Sequence, residues 1–550
     1  MVRKADKKAE ANLSLSWFFC VFTVLMISGV VLVELWPLVH VPLIRDEGEY
    51  ALCAKVFLNG GLPHRDVFIQ KPPGIWLIYA FAFKVFGMST SAVHGILLAA
   101  VMLSIGGVAE TGRRISSSAG LWAALIMGLL LLQPEYEGFS ANTEILMILP
   151  TIAAIWLLLG FKADVLGRQV LLTGFLMALA SFFKQVAATH ILHAALVLLC
   201  LGPRRFQGSM KNRWARVGIF VFPAVALWLG AAAYFWIRGG GYAFLDSVWL
   251  HNFEYVSGPM GGTALEFLRE QVRHVHLFSF MILGLSVAAC IHLTRKKLWM
   301  DLGILGGWLL ASAWGLSIGG YFRGHYFIQI LPPMAVLSGM SAALLHQFLF
   351  RYVRSIRFSG VWSAVPLLVL LVLTGLQAYP PIWGMSPDEV SMKLYSDPRF
   401  INARELAGAL RERISPGDRL YVLGSEPQIY FWSGAKPATP YVLANPLFGN
   451  YASAGRRQEE VWKALFEAPP EYLILCFPFS IPLFPASDLT LVGRVLDLVS
   501  EQYRPVAWMS RNNFGKVLPA INFSRRDFEE SRFDLFLFRR EGGGKTNWNG

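Results

Sequence analysis

The chain has 550 residues, of which 55% are hydrophobic and only 15% charged, with a formal net charge of +13. A chain so apolar is not an ordinary soluble enzyme, and the composition predicts a multi-span α-helical membrane protein. Its basic residues gather in short clusters between apolar runs, which fits cytoplasmic loops better than a surface that binds nucleic acid.

The first apolar run begins near Trp17, after a basic cluster from Arg3 to Lys8. It lacks a small-residue cleavage site, so we expect a retained anchor with a cytoplasmic N-terminus. Runs long enough to span a bilayer lie near residues 16–38, 116–134, 143–160, 169–184, 186–201, 215–237, 276–294, 299–318, 326–345 and 362–382. If the basic clusters all face the cytoplasm, the stretch 74–112 must cross the bilayer an odd number of times. Added to the ten runs above, this gives about eleven spans.

The densest polar chemistry lies in the loop that follows the first run. Asp46, Glu47 and Glu49 lie within four residues of one another, and Lys71 stands before Pro72-Pro73-Gly74. A carboxylate at the bilayer edge can deprotonate a hydroxyl, and a lysine beside a stiff Pro-Pro can bind a lipid phosphate. Solvated acids and a stiff turn that starts the next helix are the plainer alternatives.

A helical pattern lies between these two features. Five apolar or aromatic side chains recur at helical spacing, namely Tyr50, Ala51, Ala54, Phe57 and Leu58. This spacing predicts an amphipathic helix in the interface plane, with the stripe buried among lipid head groups.

By the same count of membrane crossings, the loop after the first run lies outside the cytoplasm, and further polar residues lie at that outer face. Lys184 ends an apolar run, where it either binds a lipid-linked phosphate or anchors the helix at the interface. Glu144 begins a helix that Asn142 or Thr143 can cap, so it is either a site residue or favoured there by the helix dipole.

Arg323 and His325 precede the span that contains Leu331-Pro332-Pro333. Arg323 suits two phosphate oxygens and His325 can donate one more hydrogen bond, although both also suit interface anchoring. The outer loop 238–275 contains Trp249 and His251 but no readable motif.

From residue 383 the composition changes to that of a soluble α/β domain. We predict strands at 419–424, 471–476 and 533–538, with helices near 400–413 and 456–467. No nucleophile and base pair, phosphate loop or metal-ligand spacing occurs in it. The sequence therefore identifies no certain cofactor, and it does not require a divalent metal.

The motifs D-E-x-x-Y from Asp46, G-x-P-x-R-D from Gly61 and K-P-P-G from Lys71 resemble the first external loop of the GT-C glycosyltransferases. Within them the loop is similar to the bacterial group that resembles protein O-mannosyltransferases and the lipid A aminoarabinose transferase. LMALASFFK, which ends at Lys184, and the stretch GGYFRGHYF resemble the same group. The resemblance implies that Asp46 is the catalytic residue.

The resemblance further implies a GT-C-like transmembrane catalytic domain over 1–382, with about eleven to thirteen spans and an external loop at 39–74. Residues 383–550 would form an extracytoplasmic α/β domain. The implied activity is an inverting sugar transfer from a polyprenyl-phosphate-linked donor to a hydroxyl of a glycan, lipid A or lipopolysaccharide, another lipid, or a protein. It would take place at the outer face of the bacterial inner membrane, without nucleic acid and with membrane lipids as neighbours.

The expected roles are as follows. Catalysis is assigned to Asp46 and Glu47, donor phosphate binding to Lys71, Lys184, Arg323 and His325, and acceptor positioning to Glu144, Tyr50 and Asn142, with no metal ligand. The chain departs from the aminoarabinose transferase pattern at Glu49 and Gln70, so the sugar stays open. A flippase for lipid-linked sugars and a non-catalytic subunit are the alternatives.

Overall fold

The computed structural model describes residues 20–161, 167–200, 210–257, 262–353, 364–377, 379–477, 487–510, 515–519 and 534–541. The start of the first apolar run, the first basic cluster and parts of the later basic clusters lie outside the described residues.

The apolar part of the chain is a series of helices. In chain order they are α1 (Cys20–His40), α2 (Arg45–Leu58), α3 (Gly74–Phe86), α4 (Thr90–Arg113), α5 (Ser117–Leu131), α6 (Thr143–Gly160), α7 (Gly167–Phe183), α8 (Ala188–Cys200), α9 (Met210–Ile237), α10 (Gly241–Leu245), α11 (His251–Ser257), α12 (Ala264–His274), α13 (Leu277–Arg295), α14 (Trp299–Asp301), α15 (Gly307–Ser317), α16 (Leu331–Val353) and α17 (Val365–Leu376). π-Helical turns at Asp246–Leu250 and Leu302–Gly306 interrupt the series.

Five helical stretches of the described chain are long and apolar enough to cross a membrane, and six shorter apolar helices accompany them. The long stretches are α1, α4, α9, α13 and Gly324–Phe350. The predicted multi-span helical membrane protein is confirmed.

The stretch 74–112 divides into α3 and α4. Pro73 is the N-cap of α3, and Gly87, at φ +81°, ends it in a conformation that favours glycine. The hydroxyl of Ser89 then accepts a hydrogen bond from the amide of Ala92 at 3.1 Å, which satisfies a free donor at the start of α4. Only α4, at 24 residues, approaches the length of a bilayer span.

The residues form two compact units. The first contains Met1–Trp36, Gly95–Leu229 and Leu265–Pro381, and the second contains Pro37–His94, Gly230–Ala264 and Ile382–Gly550. The expected domain division at 382 and 383 stays a prediction.

Close helix contacts at glycine hold the first unit together. A Cβ on Gly339 of α16 would lie 2.7 Å from the amide nitrogen of Ala123 in α5. A Cβ on Gly174 of α7 would overlap the carbonyl of Phe220 in α9. Apolar helices gain little hydrophobic energy from one another in lipid, so such close backbone contacts carry much of the packing.

The C-terminal part alternates helices and strands, as predicted. Its helices are α18 (Pro387–Tyr395), α19 (Arg399–Arg411), α20 (Gln428–Ser433), α21 (Asn445–Phe448), α22 (Ala454–Glu467) and α23 (Thr490–Gln502). Its strands are β1 (Arg419–Leu423), β2 (Lys436–Pro437), β3 (Tyr472–Phe477), β4 (Tyr503–Met509), β5 (Leu518–Pro519) and β6 (Asp534–Arg540).

The strands form one sheet in the order β2-β1-β3-β6-β4-β5. β1 runs parallel to β2 and β3, with Leu420 opposite Tyr472, whereas β6 runs antiparallel to β3 and β4. β1, β3 and β6 coincide with the three predicted strands, which are confirmed. They read as continuous apolar runs because the central strands are buried on both faces.

α2 is the predicted loop helix, but its apolar stripe does not lie among lipid head groups. Tyr50, Ala51 and Ala54 are at most 1% exposed because α2 packs within the protein against α3 and α20. A Cβ on Gly48 would lie 2.7 Å from the amide nitrogen of Gln428 in α20. For these three residues the prediction of an interfacial stripe was wrong, because helical periodicity identifies an apolar face without identifying what covers it. Phe57 and Leu58 of the same stripe are half-buried.

Candidate active site: two polar clusters

The first polar cluster belongs to the second unit and comprises Asp46, Glu47, Glu49 and Lys71. We call it the carboxylate cluster. Asp46 lies in the first turn of α2 and is half-buried. Within the described chain, its carboxylate has no hydrogen bond or ion pair. An unpaired carboxylate at the N-terminus of a helix can accept a proton from a ligand hydroxyl.

Glu47 is fully buried and already engaged. Its Oε1 lies 3.3 Å from Nε2 of His94, and its Oε2 accepts the amide of Ile44 at 3.2 Å. The second contact closes the N-terminal turn of α2, since the helix leaves its first amides without backbone partners. Glu47 therefore fixes the position of Asp46.

Glu49 is 3% exposed and points into the protein. Burial and the neighbouring Asp46 raise its pKa well above the ordinary value, and Lys71 only partly offsets this. The raised pKa favours the protonated form of Glu49, and protonation lessens its repulsion with Asp46 in a site of low polarity.

Lys71 is half-buried immediately before the Pro-Pro step into α3. Its charge acts on Glu49 and on His251. The carbonyl of the preceding Gln70 accepts a hydrogen bond from Asn252 Nδ2 at 2.9 Å, which fixes the backbone. The ammonium group thus lies close to the carboxylates, where it can bind an anion.

The C-terminal part of the chain contacts the first residue of α2 and holds it in place. Arg45 Nε donates to the Ser425 carbonyl at 2.6 Å, and Nη2 contacts Glu426 Oε1 at 3.2 Å. Oε2 of the buried Glu426 accepts from Gln428 Nε2 at 2.6 Å. The residue beside Asp46 is therefore fixed by segments some 380 residues away.

The second polar cluster belongs to the first unit and comprises Glu137, Glu144, Lys184 and His325. We call it the lysine cluster. The Lys184 ammonium group forms a buried ion pair with Glu144, and it also lies 3.9 Å from the centre of the Tyr326 ring. The second oxygen of Glu144 accepts from the Thr143 hydroxyl at 2.7 Å. Lys184 is therefore held by its neighbours.

His325 joins the two carboxylates of the lysine cluster. Its Nδ1 lies 2.6 Å from Glu137 Oε2, and its Nε2 lies 4.0 Å from Glu144 Oε1. Burial raises the pKa of Glu137, but the contacts with His325 and the charge of the exposed Arg323 outweigh it, so the net shift is downward. Glu137 has φ +49°, and such strain in a non-glycine residue is typical of functional loops.

Asn142 occupies the N-cap position of α6, although its side chain does not cap the helix. Its Nδ2 donates to the Ser140 hydroxyl at 2.9 Å, and its buried Oδ1 has no partner. No group of three His, Cys, Asp or Glu side chains suited to a metal occurs in the described part of the chain.

The sequence missed a buried junction in the second unit. Arg457 of α22 is fully buried, with Nη2 3.1 Å from Asp246 Oδ1 and Nη1 2.9 Å from His251 Nδ1. Its guanidinium group also lies 4.9 Å from the centre of the Phe68 ring. Burial, then the charges of Arg457 and Lys71, lower the pKa of His251 to about 3. The loop 238–275 thus anchors to α22 through residues that no local motif marks.

His94 and Glu137 were also missed as partners. Glu137 lies in the polar stretch between two predicted spans, so an acidic residue in that loop was a usable signal. His94 offered none, since its partner Glu47 is distant in sequence.

Comparison with known proteins gives a match of part of the chain to one family model and a shared fold. Residues 70–229 match the family model described as dolichyl-phosphate-mannose-protein mannosyltransferase. No curated protein sequence matches the chain. The structure of ArnT from Cupriavidus metallidurans bound to undecaprenyl phosphate is 14% identical, with a TM-score of 0.55, and the match covers 84% of this chain and 93% of that one.

The archaeal oligosaccharyltransferase AglB from Archaeoglobus fulgidus, in complex with an inhibitory peptide and a dolichol-phosphate, is also similar. It is 14% identical with a TM-score of 0.54, and the match covers 93% of this chain and 75% of that one. At such low identity these likenesses show a shared fold.

Proposed function

We propose that this chain, which has the fold of the GT-C glycosyltransferases and resembles protein O-mannosyltransferases and the lipid A aminoarabinose transferase, is a membrane glycosyltransferase. It transfers a sugar from a polyprenyl-phosphate-linked donor to an acceptor hydroxyl. The observation that carries the proposal is the carboxylate cluster, where Asp46 has no hydrogen bond or ion pair within the described chain and where both Asp46 and the Lys71 ammonium group act on the buried Glu49. The relatives with bound undecaprenyl phosphate and dolichol-phosphate support the choice of donor.

Asp46 acts as the general base. It takes the proton of the acceptor hydroxyl while the oxygen forms a bond to the anomeric carbon. The bond from that carbon to the phosphate oxygen breaks, and polyprenyl phosphate leaves with the electron pair. A single displacement of this kind inverts the anomeric centre. Glu47 serves as a positioning residue, since its two oxygens contact His94 and Ile44.

Lys71 stabilises the charge that develops on the leaving phosphate. We propose Lys184, Arg323 and His325 as further phosphate-binding residues, with Glu144 and Glu137 holding Lys184 and His325 in place. Asn142, whose buried Oδ1 has no partner, remains the candidate for acceptor positioning together with Glu144. Tyr50, buried beside Tyr79, would act through the placement of α2.

The proposed setting is the bacterial inner membrane, with a cytoplasmic N-terminus. The active-site loop 39–74 and residues 383–550 would lie outside the cytoplasm, and residues 1–382 would form the catalytic transmembrane domain. Glycan, lipid and protein acceptors all offer the required hydroxyl.

The test measures donor binding and turnover on the full chain in lipid nanodiscs. Native mass spectrometry reads the retained polyprenyl-phosphate sugar for the wild type, Asp46→Asn and Lys71→Ala. We expect the wild type to retain and turn over the donor, Lys71→Ala to lose it, and Asp46→Asn to retain it without turnover.

Lys84→Ala is the matched control, because Lys84 is an exposed lysine at the end of the neighbouring α3. It should bind and turn over the donor like the wild type. Normal turnover by Asp46→Asn, or no binding of any polyprenyl-phosphate sugar by the wild type, would overturn the proposal. If the protein in sealed lipid vesicles moved a lipid-linked sugar across the membrane without transferring the sugar to an acceptor, a flippase would be favoured.

A further inference from the structure

A cleft of about 610 Å³ in the second unit lies away from Asp46, along the opposite end of α2. One wall carries Lys55 and Asn59 from the end of α2 and the Arg65–Asp66 pair from the following loop. The other wall is the segment from Gly434 to Pro440 of the C-terminal part. Nothing in the mechanism above uses these groups.

The lining has an excess of positive charge. Arg65 and Asp66 neutralise each other, with Arg65 Nε 2.7 Å from Asp66 Oδ1. Burial raises the pKa of Asp66, but Arg65, the amide of Leu62 and the charge of Lys436 together lower it, so the carboxylate stays ionised. Lys55 and Lys436 add two further basic groups to the lining, so that three basic residues face one acidic residue.

The same lining offers a hydroxyl that lacks a partner. Thr439 is 5% exposed, and its buried Oγ1 makes no hydrogen bond in the structure. A buried hydroxyl without a partner costs free energy, so a ligand that satisfies it gains affinity. Lys55 Nζ uses one of its donors on the Phe431 carbonyl at 2.7 Å, and an ammonium group has others to offer.

The second wall is rigid before any ligand arrives. The amide of Lys436 donates to the Asp418 carbonyl at 3.2 Å, and that of Ala438 to the Leu420 carbonyl at 2.8 Å. The Pro440 carbonyl accepts from the amide of Phe68 at 2.8 Å. Together with Pro437 and Pro440 in the wall, these bonds reduce the entropy that a ligand must remove on binding.

We propose that this cleft binds the acidic part of the acceptor, a hydroxyl-bearing saccharide with a carboxylate or phosphate group. Lys55 and Lys436 contact the anionic group, and Thr439 contacts a hydroxyl. That the ligand is the acceptor rests on the proposed function, because α2 carries the cleft at one end and Asp46 at the other. The cleft as a binding site for acidic sugars does not depend on it.

The experiment titrates glucuronic acid, glucose 6-phosphate and glucose into the full chain in phosphatidylcholine nanodiscs, with saturation-transfer NMR as the readout. We expect both acidic sugars to bind at least about tenfold more tightly than glucose, since the cleft supplies charge-assisted contacts. The relative affinity of the two acids distinguishes a carboxylate site from a phosphate site.

Lys436→Glu should weaken both acidic sugars by at least about tenfold. Lys393→Glu makes the same charge change at an exposed lysine of α18 outside the cleft, and it should have no effect. Thr439→Val should weaken the sugars but leave the binding of inorganic phosphate unchanged. Equal binding of glucose and the acids, or equal effects of Lys436→Glu and Lys393→Glu, would overturn the proposal.

Turnover of the lipid-linked donor, measured on the same samples, separates the two proposals. Turnover without binding of acidic sugars to the cleft refutes the cleft alone. Binding in the cleft without any sugar transfer refutes the proposed function and the identification of the ligand as the acceptor. The cleft would still be a binding site for acidic sugars.

Discussion

In the carboxylate cluster, Asp46 is half-buried without a partner in the described chain, and Lys71 acts on its surroundings only through its charge. In the lysine cluster, Lys184 is paired with Glu144, and His325 contacts Glu137 at 2.6 Å. The same residue types are thus left open in one region and mutually satisfied in the other. Open charges are directly available to a ligand, whereas a buried pair must give up part of its existing contact to bind one, and removal of one partner leaves the other without compensation.

Substitution of the two adjacent carboxylates of the carboxylate cluster should have the largest effects, and the two variants should differ. Asp46→Asn should lower kcat by about 10²- to 10⁴-fold, the range that a general base contributes. Glu47→Gln should mainly lower the unfolding temperature, because it weakens the contact with His94 and the cap at Ile44. Steady-state kinetics and thermal unfolding in detergent check both.

Asp497→Asn is the control, since Asp497 is exposed on α23 and should leave kcat and stability unchanged. If Glu47→Gln loses more kcat than Asp46→Asn, the assignment of base and positioning residue is reversed.

The lysine cluster should respond through stability. Lys184→Met leaves the buried Glu144 carboxylate without its cation and should destabilise the first unit by about 3 to 5 kcal/mol. The double variant Glu144→Gln/Lys184→Met should recover part of that loss, since no charge stays unpaired. Denaturant unfolding of the two single variants and the double variant gives the coupling free energy. Additive losses would show that the pair is not coupled.

Substitution of a glycine beside the lysine cluster should have a smaller effect. A Cβ on Gly324 would lie 2.5 Å from the Glu135 carbonyl and 2.9 Å from Glu137 Cγ. Gly324→Ala should therefore lower the free energy of unfolding by about 1 to 3 kcal/mol and move the imidazole resonances of His325 in NMR, because Glu137 must move. Gly284→Ala in α13 has nothing within 4 Å of the new Cβ and should be neutral or stabilising. Equal outcomes for the two variants would contradict the steric argument.

The smallest effect concerns pH and the raised pKa of Glu49. Its folded-state pKa lies well above the ordinary value of 4.5, so between those values the folded chain holds a proton that the unfolded chain releases. The stabilisation is therefore complete below the unfolded pKa and declines as pH rises toward the folded pKa. Glu49→Gln, which cannot ionise, should show a flatter decline of unfolding free energy with pH. Parallel profiles for Glu49→Gln and the wild type would refute the raised pKa of Glu49.

Local sequence was sufficient for most of the architecture. Apolar runs produced helices such as α5, α6 and α7 near the expected bounds, and apolar strand patterns produced β1, β3 and β6. Both signals depend on neighbours in sequence, namely the apolar length that a bilayer needs and the continuous apolar character of a buried strand. The position of Asp46 in its motif was readable for the same reason.

Only the tertiary structure decided which charges are open. Glu144 and Lys184 are 40 residues apart, Arg45 and Glu426 are 381 residues apart, and no periodicity in the sequence relates them. The stripe of α2 faces protein instead of lipid because α20, far along the chain, covers it. A sequence determines which groups can ionise and which faces are apolar, but the long-range packing determines which partner each one meets.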